Sequence, residues 1–249
     1  MGYNSSIRSI GSASYPAIGG ALAMIGWHYP FILPVIAIPI GFLVLFTLKV
    51  QEPENELHIR EHLNIVWKKL RNRQVMVLLV IGIIIFIMFF GSYMACFPLL
   101  LGNSFAASPL IIGLIMASVS LIAAFTSSQL GKIARFFSER TILKISFIFY
   151  ALALLIISLI SQLWLFFIPV IIFGIAHGMS IPVIQTLFAE AAPLKYRATF
   201  MSVSGMTFRV GQTLGPFLMG LVIGVWGISG VFYAGAILSI IMFIIVFRL

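Results

Sequence analysis

The sequence predicts an all-α protein, a polytopic membrane bundle of eight transmembrane helices. Three observations predict it. Hydrophobic residues make up 61% of the 249 and charged residues only 8%, with a mean hydropathy of +1.16. A soluble domain carries roughly 25% charged residues, so this chain has too little polar surface to face water. Second, eight apolar runs reach the ~20 residues that a spanning helix needs: 3–26, 30–48, 75–101, 109–131, 141–161, 163–189, 198–226 and 229–248. They are too long and too continuously apolar for barrel strands, which run ~10 residues and alternate. Third, the links between them alternate in charge.

The first two runs are followed by the one long polar segment, near 51–74. Its Ile59, Leu63, Val66, Trp67 and Leu70 follow helical spacing with basic residues opposite. That pattern suits an amphipathic helix on the inner membrane surface, or equally one packed on the ends of the bundle. The segment divides the chain into a two-helix part, 1–50, and a six-helix part, 75–249. The links around His28, from Gly102 to Ser108, around Gln162 and around Ile228 hold no Lys, Arg, Asp or Glu. The other links hold Lys49, Arg60, Lys68, Lys69, Arg71 and Arg73, then Lys132, Arg135, Arg140 and Lys144, then Lys195 and Arg197. Arg248 closes the chain. Basic residues mark the cytoplasmic side, so both ends are expected there, in the plasma membrane. The formal charge of +9 is therefore a topology signal and not a nucleic-acid footprint.

The last third of the chain repeats its start. Moved back 200 places, Met201, Gly211, Pro216 and Gly220 fall on Met1, Gly11, Pro16 and Gly20. Gly215 precedes Pro216 as Tyr15 precedes Pro16. Six helix starts lie between the copies, and six-helix repeats are a recurring design of secondary transporters. On this count the first repeat would begin about 125 residues, or four helices, before Met1.

Two motifs add a family resemblance. Gly2, Gly11, Tyr15-Pro16 and Gly19-Gly20 resemble the antiporter motif of the major facilitator superfamily: Gly, eight residues, Gly, three residues, Gly-Pro, two residues, Gly-Gly. Only Tyr15 departs from it. Gly131 to Arg140, read as GKIARFFSER, is similar to the superfamily's gating loop, Gly-x-Leu-Ala-Asp-Arg-x-Gly-Arg-Arg. Gly131, Ala134 and Arg140 fit; Arg135 stands where the acid belongs, and Ser138 where the second glycine belongs. The resemblance implies the last eight of twelve helices of a transporter working by alternating access, exporting a small drug-like or metabolite substrate in exchange for protons. It also implies that the antiporter motif lies where two halves meet. A chain of eight such helices is expected not to transport alone. The alternative is a membrane scaffold or regulatory fragment that assembles with a partner supplying four helices.

Independently of family, glycines let helices approach closely and Pro16 bends its helix. Ionisable groups deep in a span are functional candidates because a charge there costs about 2.5–3.5 kcal/mol. Arg209 and His177 are the two. Arg209, with Gln212 on its face, suits an anionic substrate group or a titrating acid. It equally suits snorkelling to the headgroups or pairing with Glu190. His177 lies in Gly174-Ile-Ala-His-Gly-Met-Ser-Ile-Pro182, which reads as an interrupted helix, with Gln185 two turns on. An imidazole suits proton exchange; a neutral histidine bonded to a backbone carbonyl is the competing reading. Tyr93 and Phe97 are candidates to hold a lipophilic substrate, or plain packing residues. Ser118, Ser120, Ser127 and Ser128 are expected to bond back to their own helix. No carboxylate lies mid-span: all six fall in or beside the basic links. No GxxxxGK[ST] motif points to ATP. No metal, cofactor or convergent catalytic set is predicted. Cys96 is the one cysteine, so no intrachain disulfide forms.

Overall fold

The structure, a computed structural model, describes residues 2–47 and 71–247. The expected amphipathic helix falls mostly on 48–70, outside the described residues. Every element described is helical.

Helix α1 is Gly2–Ile25 and α2 is Tyr29–Thr47, whose first turns, Tyr29–Ile36, are wound as a 3₁₀ helix around Pro30 and Pro34. Helix α3 is Arg73–Phe105, α4 is Pro109–Ile133, α5 is Glu139–Leu159 and α6 is Leu163–Ala191. The final 51-residue helical run, Arg197–Phe247, is broken at Gly227, whose φ of 69° and ψ of −177° are non-helical. It is two helices, α7 (197–226) and α8 (228–247). This φ/ψ combination is essentially restricted to glycine, and it lets the chain turn back without a loop. Six of the runs are long and apolar enough to cross a membrane, the last counted as one. In α1 the strongly apolar part is the shorter Ser14–Ile25.

The helix starts are written in the sequence. Asn72, Ser108 and Ser138 sit just outside α3, α4 and α5 in extended conformation. Their side chains accept bonds from the backbone N–H groups of Gln74, Ile111 and Thr141. Each satisfies a donor that the first helical turn leaves open. Ser138 thus has a local reason to stand where the gating-loop pattern has glycine: it caps α5 at an ordinary φ of −66°.

Register shows how the helices run. On one side of Gly227, Phe208 meets Gly82, Gly211 meets Ile83 and Gly215 meets Gly91. The numbers rise together, so α7 runs parallel to α3. On the other side, the Ser239 hydroxyl donates to Met88 Sδ at 3.0 Å, Gly235 lies on Ser92, and Phe232 is edge-on to Phe97. Here the numbers oppose, so α8 runs antiparallel. Helix α1 packs on α4, α4 on α6, and α5 on both α6 and the α7–α8 pair. The core lies among α3 to α8, around the fully buried Tyr93, Phe97, Phe147, Tyr150, Phe173 and Phe232. Helix α2 proper, Ala37–Thr47, contributes nothing to it, since none of its residues is buried.

One expectation needs correction. The stretch around Gly178 and Pro182 is not interrupted; α6 stays helical through both. Pro182 forfeits one backbone bond, and the neighbouring helices hold the segment, with Gly178 set against the Ala123 backbone. The irregular helix is α3 instead, where Met88–Cys96 is wound as a π-helix. The π-turn widens α3 where Gly91 presses on Gly215 of α7: a Cβ on Gly91 would stand 2.5 Å from the Gly215 carbonyl oxygen.

Candidate functional site: a histidine network and two glycine seams

His177 lies half-buried on α6 between α3 and α5. Its Nδ1 is 2.9 Å from the Tyr150 hydroxyl, which is 3.0 Å from the Ser180 hydroxyl. Ser180 reaches the His177 carbonyl oxygen at 3.4 Å. Phe89 lies flat on the imidazole, with ring centres 4.1 Å apart and planes 10° from parallel. Tyr93 and Phe173 continue the stack.

This network closes in two proton arrangements. With Nδ1 bare, Tyr150 donates to Nδ1 and Ser180 donates to Tyr150. With Nδ1 protonated, His177 donates to Tyr150, Tyr150 donates to Ser180, and Ser180 donates to the His177 carbonyl. Each hydroxyl is both donor and acceptor, so a proton can join or leave Nδ1 without orphaning a polar group. An orphan would be costly at this depth. Sequence reasoning singled out His177 but missed Tyr150, Ser180 and Phe89. Ser180 had a signal, one helical turn beyond His177 on its face. Tyr150 and Phe89 had none, because packing alone brings them in.

Tyr93 and Phe97 are both fully buried. The Tyr93 hydroxyl donates to the carbonyls of Ile115 and Met116 on α4 at 3.5 and 3.3 Å. Phe97 packs on Tyr93 and Phe166. Gln185 is half-buried on α6, about 12 Å along the axis from His177 at 1.5 Å per residue. Arg209 is exposed on α7, and its Nη1 donates to Gln212 Oε1 at 3.0 Å. Among the described residues its partner is Gln212, not Glu190.

The glycines divide into two seams. Gly20 and Gly113 face each other where α1 crosses α4. A Cβ on Gly20 would stand 2.5 Å from the Pro109 carbonyl oxygen, and one on Gly113 would strike the Pro16 carbonyl oxygen. The second seam is α3–α7, where a Cβ on Gly211 would stand 2.5 Å from the Ile83 carbonyl oxygen and Gly215 lies against Gly91 and Ile87. Gly11, Gly19 and Gly220 have nothing within 4 Å of a would-be Cβ. Pro16 and Pro216 both sit inside continuous helices. Gly2 lies at the start of α1. In the gating-loop segment, Gly131 is in the last turn of α4, Arg135 is exposed in the turn that follows, and Arg140 is in the first turn of α5. As expected, Ser118 and Ser128 bond back to Ile115 and Phe125.

The profile of the Major Facilitator Superfamily matches residues 1–104 and again 79–249, and so spans the chain. No curated protein matches it. With an all-helical architecture, spanning-length apolar helices and a family match over its full length, the chain belongs to the major facilitator superfamily of multi-pass membrane transporters.

Proposed function

We propose that this transporter exchanges protons for a small lipophilic or metabolite substrate, exporting it by alternating access. The observation that carries the reading is the His177–Tyr150–Ser180 network, which stays bonded with its proton on or off. Tyr93 and Phe97, packed in the core in this conformation, are the proposed aromatic contacts for a lipophilic guest, reached as the halves rock. The Gly20–Gly113 seam supplies a smooth surface on which α1 and α4 can shift as halves rock. Arg209 with Gln212 is the proposed second polar contact, and Gln185 a third. The basic links favour cytoplasmic termini in the plasma membrane; residues 1–50 and 75–249 are proposed as parts of two halves.

Exchange requires that substrate and proton compete, and the competition is reciprocal. The test is binding of tetraphenylphosphonium, a lipophilic aromatic cation, to the purified chain across the range in which imidazole titrates. Binding should tighten as pH rises, because fewer protons occupy the site. His177→Gln should flatten that dependence. Binding that ignores pH would remove the proton-exchange reading, and no binding would remove the lipophilic-cation reading.

One observation favours a second reading, a scaffold that docks further helices. Among the described residues, the Ala37–Thr47 part of α2 buries none of its side chains, and Gly11, Gly19 and Gly220 meet nothing. Proton-coupled flux by the chain alone in liposomes would dismiss it.

A further inference from the structure

Helices α5 and α8 leave between them a groove of about 250 Å³ that opens outward. Phe147, Ile148, Ala151, Leu152 and Leu155 form one wall and Phe243 belongs to the other. The α5 wall is a single helical stripe with steps of three and four. Lys144 is the next residue on that stripe, one turn toward the basic end of the bundle. Its ammonium lies over the Phe247 ring, 4.4 Å from the centroid, and that ring is 6.4 Å from Phe243. An entirely apolar groove therefore ends at a cation. An ammonium has three N–H donors, and among the described residues no carboxylate pairs with Lys144.

The dimensions fit one ligand. From Lys144 to Leu155 the helix rises about 16 Å at 1.5 Å per residue, about half of a ~30 Å hydrocarbon core. That is the depth of one leaflet. We infer that the groove holds one acyl chain of an anionic phospholipid whose phosphate is taken by Lys144. Any lipid chain can fill apolar walls; the lysine at the mouth makes the site select for charge. Placing the mouth in the cytoplasmic leaflet, where anionic lipids gather, rests on the topology proposed above.

The test is native mass spectrometry of the purified chain with equal amounts of dioleoyl phosphatidylglycerol and dioleoyl phosphatidylcholine, which share their acyl chains. Phosphatidylglycerol should be retained about fivefold over phosphatidylcholine, whose phosphate is offset by its own choline cation; that is the effect of one basic residue near net-anionic lipid. Lys144→Gln should bring the ratio to one, and Lys144→Arg should keep it. Lys132→Gln, away from the groove, should keep it too. Ala151→Trp, which fills the groove, should depress retention of both lipids. Equal retention by the unaltered chain overturns the inference whatever the variants do. Equal loss of preference in Lys132→Gln and Lys144→Gln also overturns it, since that marks a diffuse basic surface. No transport or cation binding is measured, so failure here leaves the proton-exchange reading untouched.

Discussion

Tyr150 is fully buried, and its hydroxyl ties two side chains of another helix to α5. Tyr150→Phe keeps the ring contacts with Phe173 and Phe147 and removes only the oxygen. His177 Nδ1 then loses its acceptor–donor partner, while Ser180 falls back on its own helix. Interhelical hydrogen bonds in bilayers are worth about 0.6 kcal/mol on average and up to about 1.7. The expected loss is therefore about 1 kcal/mol, read from reversible unfolding in mixed micelles. The decisive measurement is the coupling with His177→Leu. If the two changes share one bond, the second costs clearly less in the background of the first; simple additivity would mean the network carries no energy. The same scale explains what was legible. A lone imidazole and a lone guanidinium stand out in apolar runs, so His177 and Arg209 could be named from sequence, and helical spacing put Gln212 on the face of Arg209; the ion pairing weighed there was with Glu190, and the structure has Gln212 as the partner. Tyr150 lies 27 positions from His177 and Phe89 lies 88, and no local pattern encodes contacts made by packing.

At the scale of elements, the glycines of the two repeat copies serve different neighbours. In the first copy Gly20 touches α4, while Gly11 is open. In the second, Gly211 and Gly215 touch α3, while Gly220 is open. The 200-residue echo was visible in the sequence, but the division of labour was not, because it depends on which helix lies on which side. It has a direct consequence. Gly113→Ala puts a methyl group onto the Pro16 carbonyl, which is backbone and cannot swing aside. Helices α1 and α4 must then separate, and overpacking of this kind costs about 1–3 kcal/mol. Gly11→Ala meets nothing and gains up to about 1 kcal/mol of helix propensity. Thermal unfolding in detergent should rank Gly11→Ala at or above the unaltered chain and Gly113→Ala clearly below it. The reverse order would show that the seam is not where α1 meets α4. The helix caps Asn72, Ser108 and Ser138 were similarly open to sequence reasoning, being local. The π-turn of Met88–Cys96 was not, because its extra residue is accommodated by α7, more than 100 positions away.

For the whole molecule, the eight apolar runs and the observed helices agree within a few residues, since hydrophobicity and chain length alone limit what can cross a bilayer. Direction is a separate matter, and packing and charge bear on it independently. Helices α3 and α7 run parallel, so Phe105 and Trp226 share one side of the bundle. The turn between α4 and α5, with Lys132, Arg135 and Arg140, and the turn between α6 and α7 then share the other. The basic residues of the described links lie on that second side, and each would cost about 2.5–3.5 kcal/mol at the bilayer centre. Cysteines placed one at a time at exposed positions of a Cys96→Ala chain can read this out. Asn103 and Ser161 lie toward the uncharged side; Phe136 and Leu194 lie toward the basic side. A membrane-impermeant maleimide applied to intact cells should label Asn103→Cys and Ser161→Cys and spare Phe136→Cys and Leu194→Cys until the cells are broken. The opposite pattern would invert the protein in the membrane and move the Lys144 groove to the outer leaflet. Labelling of all four from outside would deny that α4, α5 and α6 cross at all, because three consecutive crossings must alternate sides.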